Sequence, residues 1–146
     1  MAAITREATT VWDGSLTSGS GKLNSGSGVL STPVTWAART GDAAGHTSPE
    51  ELIASAHAAC YAMAFSHTLG NAGSEPEQLT VTSVVSLEPN PGGGFKVTKS
   101  DLTVVGKVPG LSEDKFKDIA KEAEAGCPIS NALRGNVEIT VNASLA

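Results

Sequence analysis

Two cysteines, Cys60 and Cys127, are the residues of this chain with the most distinctive chemistry. A cysteine acts as nucleophile or redox centre only as its thiolate, which needs a positive neighbour or a helix N-terminus. Cys60 stands in the run IASAHAACYAMAF, dominated by Ala. A cysteine inside such a helix usually behaves as a small hydrophobe, and no permanent cation lies near it on the same segment. Position alone therefore favours an inert Cys60 over a reactive one. His57, three residues earlier, shares nearly the same helix face. It can assist the thiol or serve as a satisfied core imidazole, and the sequence prefers neither. Cys127 directly precedes Pro128, at the N-cap of a short helix, where free N–H groups and the helix dipole favour a thiolate. A plain N-cap is more often Ser, Thr, Asp or Asn.

Charged residues that could serve these thiols are few. Glu50 lies ten residues before Cys60, about 15 Å along one helix, and cannot reach that thiol within its own chain. If it shares a site with Cys60, it comes from a second copy of the helix packed antiparallel across a two-fold axis. Otherwise it is a solvated acid favoured by the first-turn dipole. Arg39, in WAART, is the only arginine between Arg6 and Arg134 and has an ordinary surface role as its simpler reading. His57-x-x-Cys60 is the nearest approach to a metal motif. There is no CxxC, HExxH, GxGxxG, Walker motif or GxSxG, so neither a metal site nor a nucleotide cofactor is expected.

The elements that must position these residues read as α+β. Residues 4–12 and 16–23 alternate as strands around the turn signal Asp13-Gly14, with short strand pieces at 28–30 and 34–36, an N-terminal antiparallel meander. Residues 40–47 read as a loop. Ser48, Pro49 and Glu51 form a capping box for a helix from Pro49 to about Leu69, with Gly70 as its stop. Its middle is apolar nearly all round and is expected to be buried. Residues 79–87 and 95–108 flank Pro-Asn-Pro-Gly-Gly-Gly as a long hairpin. A helix over 112–125 presents Phe116, Ile119, Ala120 and Ala123 on one face. A short helix from Cys127-Pro128 to Leu133 and a strand over 137–145 close the chain.

The 146 residues suffice for one domain with a real core, or for one built from two joined halves. At 40% hydrophobic and 17% charged the composition is globular. A net charge of −5 with scattered basic residues makes nucleic acid and anionic membranes poor partners. Arg6 and Glu7 stand where a secretion signal would carry its apolar core, and the most apolar stretch, residues 52–65, is shorter than a membrane span. A cytoplasmic protein is expected, in which two cysteines are a transient catalytic pair or two inert core residues.

SPEELIASAHAACYAMA, residues 48–64, resembles the central helix of the OsmC/Ohr superfamily, the osmotically inducible and organic hydroperoxide resistance proteins. AGCPIS, residues 125–130, resembles its second cysteine motif. The SGVL stretch at 27–30 and the Arg39 region look like the osmotically inducible branch; the other branch carries its arginine much nearer the N-terminus. The likeness runs over essentially the whole chain. It implies a single OsmC-like domain over 1–146, antiparallel sheets around a long buried central helix, and an intertwined homodimer. It also implies a thiol peroxidase that reduces organic hydroperoxides, and hydrogen peroxide, in oxidative and osmotic stress defence. Cys60 matches the peroxidatic cysteine, Cys127 the resolving one, and Glu50 the site carboxylate, which would orient Arg39; Arg39 would hold the thiolate and polarise the peroxide. Ile53, Met63 and Phe65 would suit an organic tail. A dithiol of lipoyl or thioredoxin type would recycle the disulfide. The alternatives are a binding protein for a lipophilic ligand and a structural stress protein, both with inert thiols.

Overall fold

The computed structural model describes residues 1–146, whose contacts separate into two compact units, Met1–Leu52 and Ile53–Ala146. The first unit carries an antiparallel sheet of β1 (Ala8–Asp13), β2 (Ser20–Ser25) and β3 (Ser31–Val34), in that order. The meander is as expected, but its register is not. Asp13 pairs with Ser20, so residues 14–19 form a loop instead of a tight turn at Asp13-Gly14. The loop is closed locally: the Ser15 and Ser18 hydroxyls are 2.6 Å apart and the Gly19 N–H donates to the Ser15 carbonyl at 2.7 Å. Such side-chain bonding competes with strand pairing. Residues 28–30 likewise fall in the β2–β3 connection and not in a strand.

Residues 36–40, expected as the end of a strand and the start of a loop, form a short helix, α1 (Trp36–Thr40). The Thr35 hydroxyl accepts the Ala38 N–H at 3.1 Å, and the two following alanines favour helix. The long helix α2 (Pro49–Asn71) starts as expected, with the Ser48 hydroxyl accepting the Glu51 N–H at 3.1 Å and the Thr47 hydroxyl donating to the Glu51 carboxylate at 2.5 Å. It does not stop at Gly70. The stop is Gly73, at φ +75°, where the Ser74 N–H reaches the Leu69 carbonyl and the Gly73 N–H that of Gly70, both at 2.9 Å. That Schellman closure needs a left-handed residue, which Gly73 supplies without strain.

The second unit is built on a sheet of β4 (Gln78–Pro89), β5 (Phe95–Lys107) and β6 (Glu138–Leu145) with β5 in the centre. β4 and β5 form the expected antiparallel hairpin, but β6 runs parallel to β5, so this sheet is mixed where an antiparallel one was expected. The cause is the pair of helices α3 (Glu113–Gly126) and α4 (Pro128–Leu133) between them, which carry the chain back so that β6 enters from the same end as β5. Along β5 the inward set Ser100, Leu102, Val104 and Gly106 alternates with half-buried Asp101 and exposed Thr103 and Val105. Phe116, Ile119, Ala120 and Ala123 of α3 are all buried, as the helical period predicts.

Helix α2 meets this core along one row, His57, Tyr61, Phe65 and Leu69, each 0% exposed and spaced four apart. The Tyr61 hydroxyl donates to the Ala120 carbonyl at 2.9 Å, and Phe65 packs on Phe116 with ring centroids 4.9 Å apart. The helix is not buried all round within one chain: Ala56, Ala59 and Met63 face outward, Met63 being 68% exposed. No helix is long and apolar enough to cross a membrane.

Candidate active site

Arg39 and Glu50 meet in the first unit. The Arg39 Nη2 donates to Glu50 Oε1 at 2.7 Å, and its Nε lies 3.2 Å from both carboxylate oxygens. This side-on fork fixes the guanidinium in plane as well as in position. Arg39 sits in the last turn of α1, Glu50 in the first turn of α2, and the Trp36 ring lies 5.9 Å below the guanidinium carbon. Glu50 is 7% exposed, so its carboxylate is a buried charge with its partner in place and not the solvated acid of the simpler reading. Arg39 is likewise not a plain surface arginine. The pair forms within a single chain, so whatever Glu50 serves, Arg39 accompanies it.

Cys60 and Cys127 meet in the second unit, both as free thiols. Cys60 is partly buried on α2. Cys127 is fully buried at the junction where α3 ends and α4 begins, serving as C-cap of one and N-cap of the other. Burial pushes the Cys60 thiol up from its ordinary value; the Ile129 backbone N–H, donating to its sulfur, pulls it down; and the hydrogen-bonded Cys127 thiol pushes it up again. Two cysteines far apart in sequence are thus neighbours: Cys60 packs from partial burial against the core cluster that contains Cys127.

His57 is a buried imidazole with a partner on each ring nitrogen. Its Nδ1 lies 2.6 Å from the Ser100 hydroxyl on β5 and its Nε2 2.8 Å from the Ser130 hydroxyl on α4; all three residues are 0% exposed. Ser100 is in turn 3.1 Å from the Ser83 hydroxyl. Burial lowers the imidazole's affinity for a proton, the Glu124 carboxylate partly opposing it. Burial favours the neutral ring, in which one nitrogen donates to a serine and the other accepts from one. These serines were not legible as site residues. Only the helical spacing of Ser130 from Cys127 hinted that it shares that thiol's face.

The apolar surroundings expected from Ile53, Met63 and Phe65 do not assemble in one chain, because Phe65 is closed inside the core and Met63 points outward. An apolar cavity of about 310 Å³ lies instead in the first unit, lined by Trp12, Leu23, Val34, Trp36, Leu52 and Arg39 among others. No three His, Cys, Asp or Glu side chains stand close enough to hold a metal ion.

Comparison with known proteins bears on this geometry. Residues 40–142 match the family model of the OsmC-like proteins, a span that includes both cysteines, Glu50 and Thr40 onward but stops one residue short of Arg39. The chain is 39% identical over 129 residues to peroxiredoxin OsmC of Escherichia coli (strain K12), covering 88% of this chain and 89% of that one. It is 31% identical over 113 residues to an organic hydroperoxide resistance protein of Xanthomonas axonopodis pv. citri, covering 77% and 75%. The crystal structure of an organic hydroperoxide resistance protein OsmC from Legionella pneumophila superposes with a TM-score of 0.79 at 30% identity, over 99% of each chain.

Proposed function

The chain belongs to the OsmC-like protein family, and on that premise we propose that it is a cysteine-based thiol peroxidase reducing organic hydroperoxides. The observation that carries the reading is the placement of Cys60 against the buried cluster that contains Cys127. In the reaction the Cys60 thiolate attacks one oxygen of ROOH, the O–O bond breaks, and the departing alkoxide takes a proton to leave as ROH. Cys60 is now a sulfenic acid. The Cys127 sulfur attacks the Cys60 sulfur, an S–S bond forms, and the sulfenic oxygen leaves as water with the Cys127 proton. An external dithiol, of lipoyl or thioredoxin type, returns both cysteines to thiols by exchange.

Cys60 as it stands needs help to ionise, because burial works against its thiolate. Arg39 supplies the cation and Glu50 keeps it aimed. Glu50 lies too far along α2 to serve Cys60 of its own chain, and Arg39 is bound to Glu50. The working unit is therefore a homodimer in which the Arg39–Glu50 pair of one copy faces Cys60 of the other, each copy contributing residues 1–146 as one OsmC-like domain. The outward stripe of Ala56, Ala59 and Met63 is the surface a second α2 would cover. The apolar cavity beside Arg39 gives the organic tail of the hydroperoxide a place free hydrogen peroxide cannot exploit. This chemistry suits a cytoplasmic setting, where reducing dithiols are abundant, and a role in oxidative stress defence, to which the family resemblance adds osmotic stress.

The test is a steady-state assay with cumene hydroperoxide and a dithiol. Cys60→Ser should abolish turnover. Cys127→Ser should permit one oxidation per chain and then stall. Substantial activity in Cys60→Ser removes the central claim, and an unchanged multi-turnover rate in Cys127→Ser removes the resolving role. A protein that keeps both thiols after one equivalent of hydroperoxide is a binding protein and not a peroxidase.

A further inference from the structure

The contacts of His57 point to a task beyond filling the core. His57 stands one helical turn before Cys60 on α2, and Ser130 one turn after Cys127 on α4. The imidazole therefore ties the two helices together through the Ser130 hydroxyl at 2.8 Å, one turn from each cysteine, and Cys60 packs against the buried cluster that contains Cys127. The opposite ring nitrogen is held at 2.6 Å by Ser100 on β5, the central strand of its sheet. With both nitrogens engaged and the ring fully buried, the imidazole cannot turn without losing a hydrogen bond in a place where water cannot replace it.

Helix α4 has six residues, of which Ser130 is the fully buried one, while Ile129 packs against the core from partial burial. A short helix anchored by packing alone would carry an aliphatic side chain at that place; this one carries a hydroxyl facing an imidazole.

We propose that His57 is a positioning residue which, through Ser130, holds the start of α4 so that Cys127 stays within reach of the Cys60 sulfur, favouring disulfide formation over further oxidation of the sulfenic acid. The proposal rests on the peroxidase reading for its consequence but not for its geometry. Condensation competes with a second peroxide, which would take the Cys60 sulfenic acid to the sulfinic acid and release a second ROH. Condensation is intramolecular, and its rate depends on how much of the time the two sulfurs are aligned. A loosened α4 slows that step, while the first oxidation forms no bond to Cys127 and feels the Ile129 N–H and the Cys127 thiol in opposite directions, so it changes far less.

The experiment compares the wild type with Ser130→Ala, His57→Phe and the double variant. The singles strand a buried polar atom and should lose stability; the double removes both partners and should recover much of it. Reduced protein is mixed with one equivalent of cumene hydroperoxide. Sulfenic acid is trapped with dimedone, and disulfide and sulfinic acid are followed by mass spectrometry. A second arm oxidises the dithiol with diamide, which makes the disulfide without any peroxide. In all three variants disulfide formation should slow about tenfold in both arms, about the weight of one buried hydrogen bond. Sulfinic acid should accumulate under excess peroxide, and the first oxidation should stay within about twofold. Wild-type disulfide rates in the double variant would overturn the proposal, as would a slowing of both steps in proportion to lost stability. A wild type inert to hydroperoxide but slowed by the variants in the diamide arm would sink the peroxidase reading and leave the positioning role standing.

Discussion

The distinction between buried Glu50 and buried His57 shows how single residues divide the labour. Glu50 is a charge that must keep its partner, so its weight falls on Arg39. Glu50→Gln keeps the shape but replaces charge-assisted hydrogen bonds with neutral ones, roughly halving their strength. We expect kcat/KM for an organic hydroperoxide to fall by about tenfold with the fold intact, measured in the same steady-state assay. His57 is a neutral ring whose burial lowers its proton affinity, with the Glu124 carboxylate as the opposing charge. The sign follows from which state binds the proton. Below the ordinary histidine value of 6.5 the unfolded chain takes up a proton that the folded chain still refuses, so stability falls as the pH drops through 6.5. The slope reaches at most about 1.4 kcal/mol per pH unit and ends where the folded imidazole finally titrates. Urea unfolding midpoints at pH 7.5 and 5.5 should differ in the wild type, and the difference should shrink in His57→Gln. Equal shifts in both would show that other groups govern the acid limb.

At the scale of elements, the second unit depends on how closely α3 approaches its sheet. Gly106 on β5 is buried, and a Cβ there would stand 2.5 Å from the Phe116 ring. Phe116 is itself 0% exposed and packed on Phe65, so it cannot step aside. Gly106→Ala should therefore cost about 1–3 kcal/mol by overpacking, although alanine generally suits a strand no worse than glycine does. Thermal unfolding would register this as a drop of several degrees, and an unchanged Tm would mean that α3 rides further from the sheet. The same closeness bears on the site, because α3 ends at Cys127. The Arg134–Glu124 ion pair at 2.7 Å spans the α3–α4 junction from its outer side.

Across the whole molecule, the question is what covers the outward side of α2. A helix this rich in alanine is suited to a second packing surface, and a single chain leaves its outward side exposed. The proposed homodimer supplies the other and joins the Arg39–Glu50 pair to a cysteine pair. Met63→Arg, at a position 68% exposed in the single chain, should leave the fold of each chain in place. It should bring the mass measured by light scattering down to the 14.7 kDa of one chain. Peroxidase activity should fall with it. A variant that becomes monomeric yet keeps its activity would show that the site is complete within one chain.

Local chemistry and periodicity were enough, from the sequence alone, to place the start of α2, the buried face of α3, the Cys127-Pro128 helix start and the β4–β5 hairpin, because caps, helical spacing and turn residues act over a few positions. Both cysteine motifs and their resemblance were legible for the same reason. Tertiary structure decided what depends on distant partners. It set the parallel pairing of β6, which follows from where two helices deliver the chain. It turned the WAART segment helical and bound Arg39 to Glu50. It gave both nitrogens of His57 their partners, because nothing near His57 in sequence announces a serine on β5 or on α4. Above all it brought Cys60 against the buried cluster that contains Cys127, joining segments whose separation no local rule spans.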